Sequence, residues 1–238
     1  MTRIELLQIE QLFESPTLEI VVIVRGYLML QILPLGDSIT DGYEIPGGYR
    51  WRLGNRLRGA GFAVNFLGSL VNGPEDWGDR HHEGHSGWRI DQLQVEIEGW
   101  LVDSNPNWIL LMIGTNDVVQ EFELATAPGR LEQLIHTLFS RCPQVNLGVA
   151  TIPPILDFFP VGSALDAKVQ VYNAGVRSLV QQFQAQGQPI ILAEAYPIFA
   201  PDDLPDGVHP NRTGQDKLGE LWFQTITTAL GDSPGENI

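Results

Sequence analysis

Residues 32–41, Ile-Leu-Pro-Leu-Gly-Asp-Ser-Ile-Thr-Asp, decide how this chain is interpreted. The apolar run that ends at Leu35 stops abruptly at Gly36-Asp37-Ser38, as a buried strand does when it reaches the rim of a sheet and continues into a tight turn. A serine at that point carries its hydroxyl at the carboxyl edge of a strand, where open α/β sheets place their ligands. Ser38 is therefore a candidate nucleophile, provided that the chain supplies a base.

Short apolar runs alternate with longer amphipathic stretches along the chain, and this alternation predicts an α/β domain. The five strand candidates are Leu30–Leu35, Ala63–Leu67, Trp108–Ile113, Val145–Thr151 and Pro189–Ala193. The five helical patterns are Arg50–Ala60, Ile90–Asp103, Arg130–Arg141, Asp166–Gln186 and Gly214–Leu230. Because the spacing between strands suits right-handed crossovers, we expect a parallel sheet covered by helices on both faces.

One domain is the simplest organisation. We predict residues 29–231 as that domain, residues 1–28 as an N-terminal extension whose structure the sequence leaves open, and residues 232–238 as a flexible tail. The connections 68–87 and 152–164 are long for an α/β unit, so they are expected to carry function. Thr213-Gly214-Gln215-Asp216 predicts a capping box at the start of the last helix.

Composition excludes several classes of partner. The chain has 238 residues, 43% of them hydrophobic and 18% charged, which is typical of globular proteins. Its net charge of −15 repels nucleic acid and anionic membranes, whereas neutral esters are not penalised. No apolar run is long enough for a membrane span, and acidic residues near the N-terminus argue against a signal peptide, so we expect a cytoplasmic location. The oligomeric state is left open.

A base for Ser38 is available near the C-terminus. Among five histidines, His209 lies between two prolines just before the last helical pattern. Asp206, three residues earlier, can place its carboxylate against one ring nitrogen and leave the other free to take a proton from a serine. His136 falls inside a helical pattern, where an ordinary surface histidine is the simpler interpretation.

Acyl transfer also needs fixed hydrogen-bond donors for the negative oxygen of the tetrahedral intermediate. Asn116 follows the predicted strand Trp108–Ile113 and so reaches the same rim as Ser38, and its amide donates without carrying charge. Gly87 lets a backbone N–H approach a ligand closely. Ser86 ranks below Ser38 as a nucleophile because it lacks the Gly-x-Ser-x-Gly spacing and no predicted strand leads into it.

The histidine-rich segment 81–85 raises the question of a metal site. Its histidines around Glu83 are three apart on a glycine-rich loop, which differs from the helical His-Glu-x-x-His arrangement of zinc enzymes. We therefore expect these side chains to line a substrate cleft or to face solvent. No metal and no organic cofactor is predicted.

Taken together, four segments resemble the SGNH (GDSL-type) hydrolase family. Gly36-Asp37-Ser38-Ile39, Gly87, Gly114-Thr115-Asn116-Asp117 and Asp206-Gly207-Val208-His209 match its four motif blocks in order. The resemblance extends over residues 30–230 and implies a three-layer α/β/α sandwich with a flavodoxin-like five-stranded parallel sheet. It also implies Ser38 as nucleophile, His209 as base, Asp206 as its orienting carboxylate, and an oxyanion hole made by the N–H groups of Ser38 and Gly87 with the Asn116 side chain.

Within that family, the segments 47–50, 65–69 and 82–88 are similar to the carbohydrate esterase branch, family 3 acetylxylan esterases. The resemblance implies a serine ester hydrolase that acts through an acyl-enzyme on short-acyl, above all acetyl, esters of carbohydrates. A lysophospholipase or thioesterase of the same family remains open, as does a non-catalytic glycan-binding module on the same scaffold. The predicted substrate-cleft residues are Asp37, Tyr49, His85 and Trp88.

Overall fold

The computed structural model describes residues 29–102, 104–156 and 164–231. The predicted N-terminal extension (1–28) and tail (232–238) lie outside the described residues, so both stay predictions. Within the described ranges, no helix combines the length and the apolar character that crossing a membrane requires.

Among the residues that the structure describes, seven strands form one central sheet. They are β1 (Met29–Gly36), β2 (Ala63–Phe66), β3 (Leu70–Val71), β4 (His81–Gly84), β5 (Trp108–Met112), β6 (Asn146–Ala150) and β7 (Ile190–Ala193). Five of them run parallel in the order β2-β1-β5-β6-β7, which confirms the predicted flavodoxin-like sheet. Every residue of β5 is buried, as the central strand of a sheet covered on both faces requires.

The remaining two strands, β3 and β4, are not among the predicted strands, because the sequence predicts the segment 68–87 as a long functional loop. β4 pairs in parallel with the end of β1 and antiparallel with β3. Its buried residues are polar: His82 and Glu83 are each 1% exposed. The Glu83 carboxylate accepts hydrogen bonds from the backbone N–H and the hydroxyl of Ser69. A strand stabilised by such a polar contact carries no hydrophobic pattern that the sequence could reveal.

Seven α-helices accompany the strands within the described residues. They are α1 (Ser38–Asp41), α2 (Gly48–Gly59), α3 (Ile90–Leu101), α4 (Thr115–Val119), α5 (Ala127–Arg141), α6 (Ala164–Ala185) and α7 (Arg212–Ala229). The five predicted amphipathic helices are confirmed to within a few residues. The predicted capping box at Thr213 is wrong, because α7 already begins at Arg212 and Thr213 lies inside it. The N-terminal cap is Asn211, whose backbone is extended and whose side chain accepts the N–H of Gly214 at 3.1 Å.

The helices form two layers around the sheet. Helix α2 packs on α7, while α3 packs on α5 and α5 on α6, so right-handed crossovers put these two groups on opposite faces. Trp222 of α7 is fully buried. It lies so close to Gly148 of β6 that a Cβ there would sit 2.8 Å from the indole ring. The predicted three-layer α/β/α sandwich is confirmed.

Candidate active site

The nucleophile turn, residues 36–42, runs from the last residue of β1 through the short helix α1. A Cβ on Gly36 would lie 2.2 Å from the carbonyl oxygen of Met112, so only glycine is tolerated at the end of this strand. Asp37 caps α1, because its Oδ1 accepts the N–H of Ile39 at 3.0 Å. Ser38 is the first residue of α1 and is 5% exposed. Its hydroxyl is therefore held at the carboxyl edge of the sheet, as predicted.

The loop before α7 brings His209 to Ser38 from the far end of the chain. Oγ of Ser38 lies 2.9 Å from Nε2 of His209, and Nδ1 of His209 lies 2.6 Å from Oδ2 of Asp206. The start of α7 is also tied to α1, since the Gln215 amide donates to the carbonyl of Ile39 at 3.3 Å. The structure thus places three of the predicted site residues in one hydrogen-bonded row.

The Asp206 carboxylate is fixed by the backbone as well as by the imidazole. Its Oδ1 accepts the N–H groups of Val208 at 2.9 Å and His209 at 2.7 Å. Partial burial raises the pKa of Asp206, but the hydrogen bonds from His209 and Val208 together outweigh burial and hold this pKa below its ordinary value. An ionised carboxylate facing Nδ1 favours the tautomer with the proton on Nδ1, which leaves Nε2 able to accept the serine proton.

Asp37 and Tyr49 do not line a cleft, contrary to the prediction, since neither has any exposed surface. The Asp37 side chain turns inward to cap α1, and burial raises its pKa to about 6. The Tyr49 ring packs 6.2 Å from the Trp222 ring, between α2 and α7, and burial raises the pKa of Tyr49 to about 12. Asp37 belongs to the first motif block and Tyr49 to the segment 47–50, and membership of a motif says nothing about side-chain direction.

His85 and Trp88 belong to an aromatic cluster beside the site. The imidazole of His85 stacks on Trp88 and on Trp100, with ring centroids 4.4 Å apart in each pair. Its Nε2 lies 2.8 Å from the Glu83 carboxylate. These contacts occupy the ring and one nitrogen, so His85 supports the loop around Gly87. Its side chain is still partly exposed, and its predicted cleft role stays a prediction. Trp88 is half-buried in the same cluster, and its predicted cleft role stays a prediction.

Helix α4 holds the segment that contains Gly87. The Asn116 amide donates to the carbonyl of Trp88 at 2.9 Å, and the Gln120 amide donates to the carbonyl of Gly87 at 3.1 Å. The same segment is joined to the nucleophile turn, since the His85 N–H donates to the Gly36 carbonyl at 2.9 Å. An asparagine amide has a second hydrogen. The structure thus connects Gly87 and Asn116 to the same sheet rim as Ser38.

Arg50 and Asn72 support the nucleophile turn, although the sequence does not predict this role for either residue. The Arg50 side chain is completely buried and donates to the carbonyl of Thr40 at 2.5 Å. The Asn72 amide donates to the carbonyl of Asp41 at 2.9 Å. Burial lowers the pKa of Arg50 to about 10, which leaves the guanidinium charged at neutral pH. These bonds fix the end of α1, but their acceptors are backbone oxygens distant in sequence, so no motif marks them.

Tyr43 is a third residue that the sequence did not single out. Its ring lies against the imidazole of His209, with centroids 4.3 Å apart and planes inclined by 35°. The side chain is nevertheless 43% exposed. No spacing rule connects Tyr43 to a histidine so far along the chain, and only the folded structure reveals this contact.

The structure gives less support to the two other possibilities that the sequence raises, Ser86 as the nucleophile and a metal site in segment 81–85. Strand β4 does lead into Ser86, contrary to the expectation, yet the Ser86 hydroxyl donates to the Asp41 carboxylate at 2.8 Å. Burial lowers the pKa of His82 to about 2, so this imidazole is neutral. Within residues 29–102, 104–156 and 164–231, no group of three or more His, Cys, Asp or Glu residues is arranged to hold a metal ion.

Comparison with known proteins agrees with this geometry. Residues 35–217 match the GDSL-like Lipase/Acylhydrolase family. A multidomain esterase of Ruminococcus flavefaciens is 31% identical in an alignment of 232 positions, which covers 87% of this chain and 29% of that relative's length. The thioesterase 1/protease 1/lysophospholipase L1 of Escherichia coli K12 is 23% identical over 77% of each chain.

A solved structure is similar over almost the whole domain. The Clostridium thermocellum family 3 carbohydrate esterase has a TM-score of 0.74 and 32% sequence identity, covering 86% of this chain and 98% of that one. The motif blocks, the sheet order and the family match from residue 35 to residue 217 all agree. The chain therefore belongs to the GDSL-like lipase/acylhydrolase family.

Proposed function

We propose that the chain is a carboxylic ester hydrolase that forms an acyl-enzyme on Ser38. The supporting observation is the row in which Ser38 Oγ lies 2.9 Å from His209 Nε2 and His209 Nδ1 lies 2.6 Å from Asp206. A serine hydroxyl is a weak nucleophile by itself, and an adjacent imidazole that accepts its proton makes it reactive. The third group in the row keeps that imidazole in the required orientation.

The proposed reaction proceeds in two halves. Ser38 Oγ attacks the ester carbonyl while its proton moves to His209 Nε2, and Asp206 stabilises the imidazolium that results. The negative oxygen of the tetrahedral intermediate accepts hydrogen bonds from the N–H groups of Ser38 and Gly87 and from the Asn116 amide. His209 then gives its proton to the leaving alcohol, and in the second half it activates the water that releases the acyl group.

The proposed substrates are acetyl esters of carbohydrates. Similarity to a family 3 carbohydrate esterase and to a multidomain esterase supports this choice. A lysophospholipase or thioesterase is the alternative, supported by the 23% identical Escherichia coli relative. An intact Ser38–His209–Asp206 row argues against the non-catalytic glycan-binding module, because loss of a nucleophile or base is the expected mark of such a module.

A series of p-nitrophenyl esters from acetyl to palmitoyl tests this proposal. We expect the highest kcat/KM with the acetate, and we expect acetate to be released from acetylated xylan. A maximum at long acyl chains would favour the lysophospholipase or thioesterase alternative and contradict the acetyl preference. If no member of the series is hydrolysed, the chain is not an esterase.

Replacing Asn116 by alanine is expected to lower kcat by about 10²-fold or more, because one donor to the developing oxyanion is lost. KM should change little, since the donor acts mainly in the transition state. Steady-state kinetics with p-nitrophenyl acetate measure both constants.

Gln120→Ala is the matched control for Asn116→Ala. It removes a second side-chain amide that holds this loop, the one just after α4 that donates to the Gly87 carbonyl, but it removes no proposed oxyanion donor. We expect its kcat to stay close to the wild-type value. An Asn116→Ala variant that retains wild-type kcat would show that this amide only supports the backbone of Trp88.

A further inference from the structure

Residues 43–45, 205–206 and 209–211 line a cleft of about 220 Å³ beside the imidazole of His209. We propose that this cleft is the leaving-group subsite, in which a neutral pyranose ring of the ester's alcohol packs on Tyr43. The inference deepens the proposed function and rests on it, because it takes the substrate to be a carbohydrate ester. It adds where the sugar binds and which side chains select it.

The position of the cleft follows from the proton that the leaving alcohol must receive. His209 Nε2 gives up this proton, so the alcohol oxygen has to come within hydrogen-bond reach of Nε2 when the ester bond breaks. The rest of the alcohol then extends into space that adjoins the imidazole. This cleft adjoins it, and among the described residues neither Gly87 nor Asn116 lines it. The proposed oxyanion donors are therefore not needed to hold the alcohol.

Tyr43 has the features of a fixed platform. Its ring packs 4.3 Å from the imidazole, and its backbone N–H donates to the carbonyl of Ser38 at 3.0 Å. The ring therefore lies against one proposed reacting residue, and its backbone is hydrogen-bonded to the other. With 43% of the side chain exposed, aromatic surface remains for the C–H face of a pyranose, whose burial against it removes apolar area from water.

Charges around the cleft favour a neutral alcohol. The titratable groups that line it are Tyr43, Glu44, Asp206 and His209, and two of these four are carboxylic acids. Glu44 is exposed and its backbone has φ 57°, a left-handed conformation that is strained for a residue with a side chain. A carboxylate there accepts hydrogen bonds from sugar hydroxyls but repels an alcohol that carries phosphate, such as the leaving group of a lysophospholipid.

Two acetates that differ only in their alcohol test the subsite: ethyl acetate and an acetylated methyl xyloside. Both give the same acetyl-enzyme, so a difference in kcat/KM reports on the alcohol alone. We expect Tyr43→Ala to lower kcat/KM for the xyloside acetate at least about tenfold more than for ethyl acetate, the size of effect that one lost packing contact produces. Tyr43→Phe keeps the ring and should restore the wild-type ratio.

Equal losses on both acetates in Tyr43→Ala would overturn the subsite and leave Tyr43 only a positioning role against His209. That result would leave the proposed function standing, because wild-type protein would still hydrolyse both acetates. Hydrolysis of neither acetate by the wild type would instead defeat the proposed function and the subsite together. Thermal unfolding of each Tyr43 variant confirms that the kinetics are compared between folded proteins.

Discussion

Replacement of Ser38 by alanine is expected to lower kcat for acetyl ester hydrolysis by about 10⁶-fold, since no acyl-enzyme can form without the hydroxyl. The Ser38 hydroxyl makes its side-chain contact with Nε2 of His209 at 2.9 Å. Its loss therefore removes the nucleophile and leaves the residues that build the turn in place. The measurements are kcat with p-nitrophenyl acetate and the thermal unfolding midpoint, which should stay near the wild-type value.

Ser86→Ala is the matched control for Ser38→Ala. The Ser86 hydroxyl donates to the Asp41 carboxylate at 2.8 Å, so its removal should cost little activity. A double variant, Ser38→Ala with His209→Ala, should lose no more activity than either single variant, because residues that act as one unit are not additive. Wild-type activity in Ser38→Ala would refute the proposed mechanism, and a large loss in Ser86→Ala would reopen the choice of nucleophile.

The parallel sheet was predictable because its strands carry the signal from which buried strands are predicted, a short run of consecutive apolar residues. β5, for example, is an uninterrupted apolar run that is buried on both faces. β4 lacks that signal, since its buried residues are His82 and Glu83. Glu83 is satisfied by Ser69 and His85, partners that only the fold supplies. Polar residues at buried positions therefore hid β4, whereas β3 was missed because it is only two residues long and both are exposed.

In the candidate site, backbone position was predictable and side-chain direction was not. The order of motifs correctly put Ser38 at a strand end and His209 ahead of the last helix, where the structure joins them. The same reasoning placed Tyr49 on the cleft, although the structure buries it between helices. Conversely, Tyr43 and Arg50 act on the site through contacts that no local spacing encodes.

Asp206→Asn is expected to lower kcat by about 10⁴-fold with little change in stability, as the loss of the orienting carboxylate does in such relays. Oδ1 of the new side chain can still accept the N–H groups of Val208 and His209, as Oδ1 of Asp206 does. The amide nitrogen, however, would replace the oxygen that now lies 2.6 Å from Nδ1 of His209. An N–H facing Nδ1 favours the tautomer that carries its proton on Nε2, and this tautomer cannot accept the proton of Ser38.

Asp203→Asn separates this effect from general damage to the loop. Asp203 is 4% exposed and accepts hydrogen bonds from the Ala200 N–H and from Lys217, both at 2.6 Å, but it does not touch the imidazole. We expect Asp203→Asn to lower the unfolding midpoint and to spare kcat, the reverse of Asp206→Asn. The pKa of Asp206 lies below its ordinary value, so the carboxylate's advantage over the amide should persist at neutral pH and fade only as acid protonates Asp206. Equal kcat values for Asp206→Asn and wild type at neutral pH would remove Asp206 from the relay.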